Sequence, residues 1–100
     1  MKVVWSPLAE QRALEAVEAI AKDRPNAAVA WLEELLARVA ALDHLAKRGR
    51  VVPEIGKASH RQLLHHPYRI IYRIDPSQVV ILAIRHERRA WDPSEVASGE

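Results

Sequence analysis

The stretch "YRIIYRIDPSQVVILAIRHERRAW", residues 68 to 91, decides the fold. Two apolar, β-branched runs are joined by Asp75-Pro76-Ser77, a turn sequence, so the stretch reads as two strands of an antiparallel pair. Within these runs and just beyond them stand Arg69, Arg73, Arg85, Arg88 and Arg89. Guanidinium groups are seldom buried without partners, so the charge conflicts with the hydropathy. Pleat geometry resolves the conflict, because successive side chains of a strand point to opposite faces. Tyr68, Ile70, Tyr72 and Ile74 share a face to be buried, while Arg69, Ile71 and Arg73 share the other. Arg85 ends the neighbouring run and joins the charged face; His86, Arg88 and Arg89 follow where the chain leaves the sheet.

Two weaker runs precede this pair. "RVVPEI" is a strand that Pro53 confines to an edge or cuts short, and "HRQLLHH" is a strand ended by Pro67. No helical pattern separates these late strands, so they form an antiparallel meander. Before Gly49 the period is helical. Ser6 suits an N-cap and Pro7 the first helical position, with Leu14, Val17, Ile20 and Ala21 recurring at helical spacing. Pro25 opens a second helix that runs to Gly49, its stripe made of Val29, Leu32, Leu35, Leu36, Val39 and Leu42. The two helices form an antiparallel hairpin. "KVVW" at the start is a short strand, and Asp92-Pro93-Ser94-Glu95 has capping-box spacing for a short terminal helix, with the last residues frayed. The expectation is an α+β fold: an N-terminal strand, then a helical hairpin on one face of a mostly antiparallel sheet of three to four further strands. Residues 1–92 make one domain and residues 93–100 a short helix or tail.

Composition narrows the function. Without cysteine there is no disulfide framework, no thiolate nucleophile and no common zinc site. His65 and His66 point to opposite faces of a strand and cannot share a metal, so neither metal nor cofactor is expected. No apolar run reaches a membrane span, and the opening residues turn polar too soon for a signal peptide, so the expected location is the cytoplasm. The net charge of +2 hides a split: residues 1–45 hold five Lys/Arg against seven Asp/Glu, residues 46–91 ten against three. Such a basic half implies an anionic partner, a nucleic acid or an acidic protein segment.

The arginine fork matches phosphate oxygens and keeps its proton at cellular pH. Arg69 is the centre of the expected anion site, with Arg73, Arg85 and Arg89 as further binding cations. The competing reading pairs some of these arginines with Glu54, Asp75 or Glu87. His86, beside the arginines, is a candidate to move a proton, since imidazole titrates near neutrality. Trp91 either stacks on a base or closes the core beneath the final segment.

"WSPLAEQRALEAVEAIA" and a second helix, followed by "GRVVPEIG", "YRIIYRID" and "VVILAIRHERR", resemble the RelE/ParE superfamily of bacterial type II toxins over roughly residues 2 to 92. The resemblance implies a toxin neutralised by a wrapping antitoxin in a hetero-oligomer. RelE-like members cut messenger RNA in the ribosomal A site without a metal, whereas ParE-like members inhibit DNA gyrase by binding. Carried over by position, Arg69 matches the phosphate-contacting arginine of the nuclease branch, Arg88 and Arg89 fall near its second arginine, and His86 near a histidine of some members. Trp91 stands where several nucleases have a tyrosine, and Lys57 alone represents the lysine pair of one nuclease group, which implies a substrate-binding role for it. The "HERR" ending and the aliphatic hairpin suit sequences called ParE-like or plasmid-stabilisation proteins. A degenerate toxin that only binds its antitoxin, or a basic RNA-binding module, is the third alternative.

Overall fold

The computed structural model describes residues 1–97. The fraying expected at the very end lies, for residues 98–100, outside the described residues. Strand β1 (Lys2–Trp5) leads into α1 (Pro7–Asp23) through Ser6, whose Oγ accepts from the Ala9 N–H at 3.0 Å while Pro7 takes the first helical position. Ser6 is buried, and it ties the helix start to the sheet: its hydroxyl donates to the Leu82 carbonyl at 3.1 Å and its N–H to the Ile81 carbonyl at 2.9 Å. Helix α2 (Pro25–Ala40) returns antiparallel to α1.

The second helix stops earlier than the sequence predicts. After Ala40 the chain makes two 3-10 turns, Ala41–Asp43 and Ala46–Arg48, before Gly49. Tertiary hydrogen bonds take the carbonyls that a longer helix would use. The Met1 amine donates to the Asp43 carbonyl at 2.7 Å, and the Tyr72 hydroxyl to the Ala46 carbonyl at 2.7 Å.

Strands β2 (Arg50–Val51), β3 (His60–His65), β4 (Tyr68–Ile74) and β5 (Gln78–His86) complete a five-stranded sheet of order β1-β5-β4-β3-β2. All pairs are antiparallel except β1 with β5, as a mostly antiparallel α+β fold requires. The β4 and β5 register contains a bulge. Ile71 pairs with Ala83 and Tyr72 with Ile81, leaving Leu82 without an opposite residue. One extra residue flips the alternation. Val79 and Ile81 before the bulge and Ile84 after it therefore all pack on the helix side, while Ala83 packs on the other.

The helix-side core joins Ile70, Tyr72, Leu63, Val79, Ile81 and Ile84 to the hairpin. Helix α1 presents only alanines as fully buried residues, Ala9, Ala13 and Ala16, which lets it lie close to the sheet. The expected stripe shifts accordingly: Leu14 is 62% exposed, and in α2 Val29 and Leu36 are 58% and 50% exposed, while Ala28, Trp31, Leu35 and Val39 are buried. Arg38 fastens α2 to β3, donating to the Leu64 carbonyl at 2.6 Å and to His65 Nδ1 at 3.2 Å. His65 Nε2 then donates to the Trp31 carbonyl at 2.9 Å. Arginine only donates, so this buried imidazole is the neutral Nε2–H tautomer.

The face away from the hairpin is not bare. Val52, Ile71 and Ala83 form a second buried cluster, covered by Ile55, Trp91 and Val96 from the β2–β3 loop and the C-terminal segment. That segment includes α3 (Pro93–Ala97). Asp92 caps it through its side chain, accepting from Ser94 N–H at 3.0 Å, but the Glu95 carboxylate does not turn back to the cap. No helix of the described residues is long and apolar enough to cross a membrane.

Candidate functional site

Arg69 projects to the face opposite the hairpin, as the pleat dictates, and there it meets a carboxylate. Its guanidinium donates to both Glu54 oxygens, at 3.0 and 2.8 Å, and its Nε to Gln62 Oε1 at 3.0 Å. The Trp91 ring lies 5.3 Å from the guanidinium carbon, a cation–π contact. The bidentate hydrogen bond from Arg69 holds the Glu54 carboxyl below the usual glutamate range, partly opposed by desolvation. Arg50, Glu54, Gln62, Arg69 and Glu87 line a shallow depression of about 320 Å³. Two cations and two anions make it close to neutral.

Arg73 and Arg85 are engaged in the same manner. Arg73 pairs with Asp75 at 2.7 Å, and this hydrogen bond lowers the Asp75 carboxyl. Arg85, which lies beside Arg69 in the strand register, is 8% exposed. It donates to Glu95 of α3 and, through Nε at 2.8 Å, to the Ala90 carbonyl. Glu95 also accepts from Arg12 of α1 at 3.3 Å. One carboxylate thus joins the sheet, the first helix and the C-terminal segment. The like charges of Arg69 and Arg85 would repel on neighbouring strands; Glu54 pairs with the first and Glu95 with the second.

His86 lies on the other side. It pairs with Tyr68, not with Arg69, and its ring meets the Tyr68 ring edge-on at 5.2 Å. Its Nδ1 accepts from the Arg88 backbone N–H at 3.1 Å. With that lone pair occupied, the neutral ring presents Nε2–H, a donor and not a base. Arg89 borders the same cleft of about 200 Å³, together with Arg12, Glu15 and Tyr68, whose hydroxyl burial pushes up. Arg88 is exposed on the turn and Lys57 on the β2–β3 loop. The structure therefore brings together Arg69, Arg73, Arg85 and Trp91 on one face. It places His86 and Arg89 on the other face and leaves Arg88 and Lys57 at the periphery.

Sequence reasoning missed two features. Glu95 and Gln62 as arginine partners have no signal at all, because they come from 10 and 7 residues away through tertiary folding. The second feature was visible. Helix α2 carries two apolar stripes, Ala28-Trp31-Leu35-Val39 and Val29-Leu32-Leu36, and only the first can face the sheet. With Trp5, Ala13 and Leu14, the second stripe's Leu32 and Leu36 line a groove of about 330 Å³ between the helices. Exposed apolar area gathered in one groove marks an interaction surface.

A solved structure titled "Chromosomal ParDE TA system from P. aeruginosa" superposes with a TM-score of 0.71 at 20% identity, over 86% of this chain and 95% of that one, so the two share a fold. A search of curated proteins gives no match. The family model "ParE toxin of type II toxin-antitoxin system, parDE" matches residues 3–91. The chain belongs to the ParE toxin family.

Proposed function

We propose that this chain arrests bacterial growth as a ParE-type toxin that binds DNA gyrase, and that its antitoxin neutralises it through the α1–α2 groove. The observation that carries the choice of target is the commitment of Arg69. A nuclease needs this guanidinium free to meet a phosphorane as charge develops, whereas here Glu54, Gln62 and Trp91 occupy it. His86 supports the same reading, since its Nδ1 is engaged and it faces away from Arg69. A binding inhibitor needs neither group. The groove supports the antitoxin assignment: an apolar floor of Trp5, Leu14, Leu32 and Leu36 suits an amphipathic helix or extended segment that folds on docking.

Purified chain is titrated into a gyrase supercoiling reaction and, in parallel, into programmed ribosomes. Loss of supercoiling with intact message is expected. Normal supercoiling at excess chain rejects the gyrase reading, and cleaved message in the A site replaces it with the ribosome-dependent nuclease.

A further inference from the structure

The carboxylates that neutralise Arg69, Arg73 and Arg85 leave Arg89 unpaired. It borders the cleft of about 200 Å³ beside α1, where the small side chains of Ala16 and Ala19 leave room against Tyr68 and His86. Arg12 and Glu15 also line this cleft and satisfy each other: Arg12 Nη1 donates to both Glu15 oxygens, at 2.9 and 3.2 Å, and Gln11 donates to Glu15 at 3.1 Å. The Glu15 carboxyl is held below the usual glutamate range, first by the Gln11 hydrogen bond and then by Arg12, with a longer-range share from Arg89. Burial raises the Tyr68 hydroxyl and the Arg89 charge opposes it, so the guanidinium lies close to both groups. The hydroxyl keeps its proton at cellular pH, and His86 offers only Nε2–H because its Nδ1 accepts from the Arg88 N–H. Among the described residues no hydrogen bond or ion pair takes up the Arg89 guanidinium, the Tyr68 hydroxyl or His86 Nε2. Three donors thus border one cleft without an acceptor.

We infer that this cleft receives a single carboxylate, an Asp or Glu side chain of the antitoxin, an assignment that rests on the groove reading above for its carrier. Arg12 and Arg89 against Glu15 leave one positive charge, which suits one monoanionic group. An arginine fork and two single donors match the lone pairs of a carboxylate. A nucleic acid fits less well, because it carries a charge about every 3.4 Å of strand and its neighbouring phosphates would meet Glu15. A whole small molecule needs a site of about 300–1,000 Å³, so the guest is a group carried by a larger partner. Helix α1 separates the cleft from the groove, with Leu14 on one side and Arg12 and Glu15 on the other. The helix is about 10–12 Å across with its side chains, a distance that about four extended residues span. A segment leaving the groove over α1 therefore needs only a short acidic continuation to reach Arg89.

An NMR titration of the isotope-labelled intact chain at constant ionic strength tests the anion site, with acetate as the carboxylate and dimethyl phosphate as the phosphodiester. Acetate should shift the Arg89 Nε–H and His86 ring resonances with a dissociation constant of about 10–100 mM, the strength of one charge-assisted contact. Arg89→Gln should weaken acetate binding at least about tenfold, and Tyr68→Phe should weaken it less. R88Q removes an equal charge from the exposed turn outside the cleft and should bind acetate within about twofold of the parent. Unchanged melting curves confirm that the variants fold. Calorimetry with the cognate antitoxin then tests the carrier: R89Q should weaken that complex at least about tenfold and R88Q by less than about twofold. The inference is overturned if acetate shifts neither side chain, if dimethyl phosphate binds more tightly than acetate, or if R89Q binds the antitoxin as the parent does. An L14Q/L36Q variant separates the two readings. Affinity lost in R89Q alone rejects the groove and keeps the cleft, and affinity lost in L14Q/L36Q alone does the reverse.

Discussion

The Tyr72 hydroxyl sits between two backbone groups of the 46–49 turn, accepting from the Gly49 N–H at 2.9 Å and donating to the Ala46 carbonyl. The ring is fully buried, so the Tyr72→Phe variant leaves both backbone groups without a partner and should lower the unfolding free energy by about 1–3 kcal/mol. A urea titration that moves by less than about 0.5 kcal/mol would show that the clamp is unimportant. Gly49 is required by space and not by backbone angle: a Cβ there would lie 2.5 Å from the Tyr72 hydroxyl and 2.6 Å from the Gln62 carbonyl. Gly49→Ala should therefore destabilise by a similar amount, because the Gln62 carbonyl belongs to a sheet strand and cannot yield. Arg69 and Arg73 contribute to the acid response. Glu54 and Asp75 have lowered folded-state values, each first through its arginine hydrogen bond. Their contribution is complete above the ordinary values of 4.5 and 3.8 and is lost as pH falls through the folded values. Urea midpoints should fall between about pH 5 and pH 2, and Arg69→Met should remove the Glu54 share of that slope.

At the scale of elements, α3 is held by very little chain. Five residues cannot form a stable helix alone, so its position depends on Glu95 between Arg12 and Arg85 and on Val96 and Trp91 over the second cluster. Glu95→Ala would leave Arg85 buried without a counter-charge, which costs about 3–5 kcal/mol if nothing moves. Undocking costs less, since it lets Arg85 hydrate. The expected outcome is release of residues 90–97 with the main core intact, read as faster tryptic cleavage after Arg88 and Arg89 and a small change in melting temperature. Unaltered cleavage would show that apolar contacts alone hold α3.

For the whole molecule, the division between what it buries and what it presents is set by the hairpin. Leu14 and Leu36 are half or more exposed, so L14Q/L36Q should leave the unfolding free energy within about 0.5 kcal/mol of the parent. The same pair should weaken antitoxin binding by about 100-fold or more, because each leucine fully buried in a complex contributes about 1.5–3 kcal/mol. Calorimetry of the toxin–antitoxin pair measures this directly. Equal affinity would move the antitoxin elsewhere.

The amino-acid sequence by itself determined the α+β class, the N-cap at Ser6, the limits of β4, and the face on which Arg69 and Arg73 emerge. These follow from local periodicity and capping, which act over a few residues. Only the tertiary structure decided what those arginines do. The bulge at Leu82 places His86 and Arg85 in register with Tyr68 and Arg69, and Glu54 and Glu95 arrive from distant segments to neutralise the charged face. Pleat periodicity tells which side a charge leaves the strand; whether a carboxylate waits there depends on chain packing that no local pattern encodes.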